Sequence, residues 1–392
     1  MDGPTKQQAR RIGKADRSLR IGIAFPGGFE FGGIGRMMLY AMEAFAAMAD
    51  GPCCTPQDAR GSGHIAMMPV HLLRSVGWLA WARLRGQIDL VHLNVAGRGS
   101  TLRKIVLSEA AALLRLPTIV HLHDYDYRTD FGRRGMVGRH FVRRLFQRAG
   151  RVIVLGHRDE VIATELLDVA PARLVRLPNA VPDPGSPPLR QEQERPARLV
   201  FLGNLDDRKG VPELLQALAS PALRTLPWTI DFAGGGETAR FAAQANELGI
   251  SARTSFHGWL DAAAVQALCR NADIFVLPSH AEGQAMALLE AMAHGLAIVT
   301  TPVGAHLEAV TPGREALLVT PGDVASLADA IATLVTRPEL RARLGSAARQ
   351  RYLEAFAIAA YAEKLIALYQ AALRDSERVS PRQAPVISEL KG

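Results

Sequence analysis

Cysteine is scarce: the 392 residues hold three, with Cys53 and Cys54 adjacent and Cys269 far away. Neither a disulfide framework nor a zinc cluster can be built from that set. No uninterrupted apolar run reaches the roughly 18 residues of a membrane span. The opening segment MDGPTKQQARRIGKADRSLR is basic and polar, with no apolar signal-type stretch behind it. The chain therefore reads as soluble and cytoplasmic. A G-x-G-x-x-G fingerprint is also missing, and no acidic residue closes a second strand at the expected distance, which disfavours an NAD oxidoreductase. Acidic residues are absent altogether from Phe131 to Arg158, where eight arginines stand among apolar residues at helical spacing.

The length fits two domains, and 48% hydrophobic residues suffice for two cores. Charge divides unevenly between them. Residues 1–180 carry 26 Lys and Arg against 15 Asp and Glu, a net of +11, whereas 181–392 carry a net of −3. A basic first half points to a polyanionic neighbour such as anionic lipid, nucleic acid or a phosphate-bearing substrate.

Strand-like runs at Leu19–Phe25, Ile88–Leu93, Thr118–Leu122 and Arg151–Leu155 alternate with helical stretches, the rhythm of a parallel sheet with crossover helices. The stretch VPDPGSPPLRQEQERP has five prolines and no periodicity, and reads as a linker. The rhythm then restarts with strands at Leu199–Gly203, Thr229–Ala233, Ile274–Leu277 and Ile298–Thr300. The expected division is a basic tail over 1–19, an α/β domain over 20–180, a linker over 181–197 and a second α/β domain over 198–352. A helix over 353–375 crosses back to the first domain, before a tail over 376–392.

Several segments carry chemistry. The glycine-rich loop 27–35, with Gly32, Gly33 and Gly35, lets backbone N–H groups approach a phosphate or sugar at a helix start. His123 ends a strand where ligands gather in α/β sheets. Asp124-Tyr125-Asp126 matches a metal-binding D-x-D, but three-residue matches are common and no metal site is assigned. The acid-free 131–158 segment reads as a lipid-facing basic surface. In the second half, Gly203 to Gly210 places a strand end, a polar turn and Lys209 just before a helix, where a lysine can neutralise a diphosphate. Gly234 ends another strand. Glu282 sits in a loop with Gly283, Gln284 and Ala285, and Glu290 follows inside a helix. Both carboxylates can accept hydrogen bonds from sugar hydroxyls.

These segments resemble the family 4 glycosyltransferases, over about Arg20 to Tyr369. Phe201–Gly210 is similar to F-x-G-R-L-x-x-x-K-G, and Pro278–Gly304 to the family's P-S-x-x-E-G…L-E-A-M-A-x-G segment. GREALLVTPGD at 313–323 is similar to G-x-x-G-x-L-V-x-P-G-D, with Ala316 for a glycine. HLNVAGRGSTLRK and HLHD in the first half are similar to bacterial surface-polysaccharide members.

The resemblance implies a GT-B fold: two Rossmann-like domains across a cleft, with a C-terminal helix returning to the first. It also implies retaining transfer of a hexose-type sugar, without metal or other cofactor, from a nucleotide diphosphate sugar, UDP or GDP most readily. The acceptor would be a polyprenyl diphosphate-linked saccharide, for exopolysaccharide, capsule or O-antigen, at the inner face of the plasma membrane. Lys209 would contact the diphosphate, Glu290 the ribose, Glu282 the donor sugar and His123 the reacting sugar. The Gly32–Gly35 loop would border the diphosphate and acceptor. Neither nucleic acid nor a protein partner is implied. Asn204 stands where the family usually has arginine and loses a full charge, with Arg208 and Arg36 as candidates to replace it. The competing readings are a nucleotide-sugar epimerase of the same fold and a basic nucleic-acid-binding protein.

Overall fold

The computed structural model describes residues 18–25, 32–60, 65–187 and 195–379. Most of the basic start, the loop glycines at 27 and 28, the middle of the linker and most of the tail lie outside the described residues.

Apolar, β-branched runs build two parallel sheets. The first holds β1 (Arg20–Phe25), β2 (Cys53–Asp58), β3 (Leu90–Val95), β4 (Thr118–Leu122), β5 (Arg151–Val154) and β6 (Leu174–Arg176), in the order β2-β1-β3-β4-β5-β6. The second holds β7 (Ala197–Leu202), β8 (Trp228–Ala233), β9 (Thr254–Gly258), β10 (Ile274–Leu277), β11 (Ala297–Thr300) and β12 (Ala316–Leu318), in the order β12-β11-β10-β7-β8-β9. Central strands such as β3, β4 and β10 are buried at every residue, as sheets covered by helices on both faces require. Strand order reverses between β1 and β3, and again between β7 and β10. Ligands of doubly wound sheets bind at such points.

In the first domain, helices Met68–Leu84, Arg98–Leu113 and Met136–Arg148 pack side by side over an outer core of Leu93, Leu107, Val120 and Leu145. The other sheet face is covered by helix Gly33–Ala46 and by the last helix, Ile358–Val379. That last helix comes from beyond the second domain. It buries Tyr361, Leu365, Tyr369 and Ala372 completely or nearly so, and Tyr369 Oη lies 2.8 Å from His92 Nδ1 on β3. The chain crosses over between Ala355, where helix Pro338–Ala355 ends on the second domain, and Ile358. Val181 pairs with Ala357 as an isolated bridge at this crossing.

Four short strands lie outside the runs named from sequence. β2 reads CCTPQD, with Pro56 inside it, which only an edge strand tolerates. β6 and β12 have three residues each, and β9 is another edge strand.

The returning helix sets a stability prediction. Tyr369→Ala should cost about 3–5 kcal/mol by cavity formation. Tyr369→Phe, which only leaves His92 Nδ1 unpaired, should cost about 1–3 kcal/mol. Urea unfolding of both variants checks the order, and equal costs would mean that packing at this position is incidental.

Candidate active site

The carboxyl ends of strands from both sheets open onto one cavity of about 600 Å³ between the domains. His123, Leu155 and Asn179 reach it from the first sheet, and Gly203, Gly234 and Trp259 from the second. Two helix starts face into it: Gly32, Gly33 and Ile34 from helix Gly33–Ala46, and Ala285, Met286 and Ala287 from helix Met286–Ala293. Among the described residues neither start has a side-chain cap, and neither has an acidic residue in its first turn, so their N–H groups and positive dipole ends face the cavity as an anion would need.

Cations add to this. Lys209 Nζ lies 2.5 Å from Glu282 Oε1, and Arg208 Nη1 lies 3.2 Å from the same oxygen. Ser279 Oγ donates to it as well, at 3.1 Å. Burial alone would raise the Glu282 carboxyl, but Lys209 and then Arg208 outweigh it and hold the group below the usual carboxylate range. The turn that aims Lys209 is tied by its own N–H, which donates to Asp206 Oδ1 at 2.9 Å. Arg208 also donates to the Ala281 carbonyl at 2.7 Å, and its guanidinium lies 5.2 Å from the Tyr125 ring centre across the cleft.

Glu290 is bound differently. Arg36 Nη1, from the first domain, approaches Oε1 at 3.2 Å, and Tyr40 Oη donates to the same atom at 3.4 Å. Here burial wins over Arg36, and the carboxyl is raised. His123 is pushed down to about 3 by burial and is neutral at pH 7. Its Nε2 lies 2.9 Å from Asn94 Oδ1, while Asn94 Nδ2 donates to the Ala24 carbonyl. The amide oxygen can only accept, so Nε2 carries the proton and Nδ1 remains an acceptor.

Two glycines let the walls close. A Cβ on Gly234 (φ +152°) would sit 1.8 Å from the Gly203 carbonyl oxygen, and one on Gly304 (φ +57°) would sit 2.1 Å from that of Glu282.

Of the residues singled out from sequence, His123, Lys209, Glu282, Glu290, Gly32, Gly33, Gly203, Asn204, Gly234, Gly283, Gln284 and Ala285 all line the cavity. Gly35 does not: it is buried in the first turn of its helix. Tyr40, Asn179, Tyr125 and Trp259 carried no local sequence signal. Asn179 joins the domains, its N–H donating to Gln284 Oε1 at 2.6 Å. Among the described residues no cluster of three or more His, Cys, Asp or Glu is placed to hold a metal ion; the Asp126 N–H donates to Asp124 Oδ1 at 3.0 Å.

The description "Glycosyl transferases group 1" matches residues 188–351, and "Glycosyl transferase 4-like domain" matches 32–180. The chain belongs to the group 1, family 4-type glycosyltransferases. The glycogen synthase of Mycobacterium tuberculosis is 37% identical to this glycosyltransferase over 139 residues, 36% of this chain and 34% of that protein. The chain thus spans about a third of the length of such curated relatives. Sucrose-phosphate synthase from Thermosynechococcus elongatus shares the fold over 92% of this chain and all of its own, with a TM-score of 0.76 at 19% identity. Anabaena HepE in complex with UDP and glucose does so over 90% of this chain and all of its own, with a TM-score of 0.69 at 18% identity. The architecture is that of the GT-B glycosyltransferases.

The raised Glu290 carboxyl has a pH signature. A folded-state pKa above the unfolded one means that stability falls as pH rises from about 4.3 through the folded value. Glu290→Gln should remove that fall and leave the variant more stable than wild type above the window. Thermal unfolding across pH checks this, and parallel curves for the two proteins would refute the assignment.

Proposed function

We propose that this glycosyltransferase transfers a hexose-type sugar, with retention, from a nucleotide diphosphate sugar to a saccharide carried on a polyprenyl diphosphate. The observation that carries the reading is the convergence of two uncapped helix starts, Lys209 and Arg208 on one inter-domain cavity. That arrangement suits a diphosphate, whose leaving charge needs fixed donors in a dry cleft. UDP is the first donor to test, because a neighbour of the same fold was solved with UDP and glucose. GDP is the second.

In this reading the diphosphate takes Lys209 and Arg208 from Glu282, and the freed carboxylate turns to the hydroxyls of the donor sugar. Glu290 takes the ribose hydroxyls in place of Arg36 and Tyr40. His123 accepts a hydroxyl hydrogen bond through Nδ1. The acceptor oxygen attacks the anomeric carbon on the face from which the diphosphate leaves, and the leaving phosphate oxygen receives the acceptor proton. Glu282 serves here as a ligand of sugar hydroxyls, and no carboxylate is assigned as a nucleophile, so the double displacement of retaining glycosidases is not invoked. The reaction belongs on the cytoplasmic side of the plasma membrane, where a lipid-linked acceptor presents its sugar. It suits polysaccharide assembly of the exopolysaccharide, capsule or O-antigen kind.

A panel of nucleotide sugars tests the reading. One donor should be consumed only when a lipid-linked acceptor is present, equally well in the presence of a chelator. Lys209→Ala should lower turnover by about a hundredfold or more. Consumption of donor with release of free sugar and no dependence on acceptor would replace transfer by hydrolysis or epimerisation.

The charge missing at Asn204 gives a sharper test. If Arg208 supplies it, Arg208→Gln should weaken nucleoside diphosphate binding about tenfold or more, and adding Asn204→Arg should restore much of the loss. Titration calorimetry reads both. Unchanged affinity in Arg208→Gln would remove Arg208 from the diphosphate site and leave Lys209 there.

A further inference from the structure

The arginine-rich segment that sequence reading places against lipid is largely neutralised within the protein. Arg134 pairs with Asp130, Arg143 with Asp168, Arg144 and Arg148 with Glu109, Arg151 with Asp375 and Arg158 with Asp159. All five acids lie outside the segment, two of them at its borders and three farther from it in the chain, where a local count misses them.

A different feature is left over. Helices Met68–Leu84, Arg98–Leu113 and Met136–Arg148 form one layer, bolted together where Arg83 donates to the Leu114 carbonyl and where Glu109 holds Arg144 and Arg148. The layer's inner side covers the outer core of the sheet. Its outer side carries ten of the sixteen large hydrophobic side chains that are exposed among the described residues. Leu73 is 71% exposed, Leu84 and Leu113 86%, Val137 72% and Met136 88%. The spacing is helical: Leu102, Val106, Glu109 and Leu113 run along one stripe of the central helix, and Val137, Phe141, Arg144 and Arg148 along its neighbour. Monomeric proteins rarely leave so continuous an apolar face uncovered.

Charge identifies what covers it. The three helices hold a single acid, Glu109, and two arginines already claim it. Arg74, Arg98, Arg115 and Arg133, on the helices or at their ends, are exposed and form no ion pair among the described residues. Apolar side chains interleaved with unpaired arginines and almost no acid complement an anionic bilayer, where the leucines enter the interface and the arginines meet the headgroups.

We propose that this three-helix face docks flat on an anionic lipid bilayer. Helix Met136–Arg148 lies between β4, whose end carries His123 at the cavity, and β5, whose end carries Leu155 there, so a molecule lying on this layer brings that edge of the cleft toward the membrane surface. The proposal deepens the lipid-linked acceptor reading. It needs no inserted span, and no described helix is long and apolar enough to cross a membrane.

Co-sedimentation with vesicles of phosphatidylglycerol and phosphatidylethanolamine tests it, with phosphatidylcholine vesicles as the uncharged control. The wild-type chain should bind the anionic vesicles, less at high salt, and ignore the control. Combined Leu73→Ser, Leu84→Ser and Leu113→Ser should lower binding about tenfold or more. Combined Arg74→Gln, Arg98→Gln, Arg115→Gln and Arg133→Gln should do the same. All seven side chains are exposed, so both variants should keep the wild-type unfolding midpoint and nucleotide-sugar affinity. Wild type that ignores anionic vesicles at low salt overturns the proposal, as does a serine variant that binds them fully. A concentration-dependent dimer that the serine variant abolishes also overturns it, since a second copy then covers the face. Vesicle binding without any nucleotide-sugar binding would instead leave the docking surface standing and remove the transferase reading.

Discussion

The cleft holds two cations at one wall, and the ion pair of Lys209 with Glu282 keeps them in place. Two cations packed at a buried wall with no anion would repel each other and draw in water. Glu282 offsets them with one oxygen shared by Lys209, Arg208 and Ser279. Removing the carboxylate would leave buried charge uncompensated, which generally costs about 3–5 kcal/mol. The neighbouring features serve that position: Gly304 lets the backbone of the Glu282 loop approach closely, Asp206 fixes the lysine's turn, and Arg158 spans from the Asp124 and Tyr125 carbonyls to that of Glu282.

The second glutamate shows the opposite balance. Glu290 is as buried as Glu282 but faces one guanidinium and a phenol, and burial prevails. Two carboxylates eight residues apart therefore differ in protonation tendency because of their neighbours, not their own helix or loop. Since Arg36 and Tyr40 come from the first domain, the Glu290 contact also joins the domains. His157 N–H, donating to Glu308 Oε1 at 2.6 Å, and Asn179 with Gln284 are further joints of this kind.

Strands with strong apolar runs were legible from sequence. Thr118–Leu122 and Ile274–Leu277 are seen with those bounds. Strands that depend on a neighbour were not: β2 carries a proline and polar residues, and takes its conformation from pairing with β1. At the site, residues within motifs could be found, because turn chemistry and helix starts are local. Tyr125, Asn179 and Trp259, which line the cavity, and Tyr40, which meets Glu290, could not, since only the facing of two domains brings them together. The arginine-rich segment misleads for the same reason. Its missing acids are supplied by Glu109, Asp168 and Asp375 from other elements.

The returning helix has a consequence for synthesis on the ribosome. The inner face of the first sheet is closed by Tyr361, Leu365 and Tyr369, which are translated after the whole second domain. At about 5–20 residues per second, the first domain waits on the order of ten seconds or more with that face open. Meanwhile the second domain, whose strands and helices are contiguous in the chain from β7 to Ala355, can close its own core. The order of completion along the nascent chain is therefore reversed relative to the order of the domains: the second domain can close its core before the first receives the helix that completes its own.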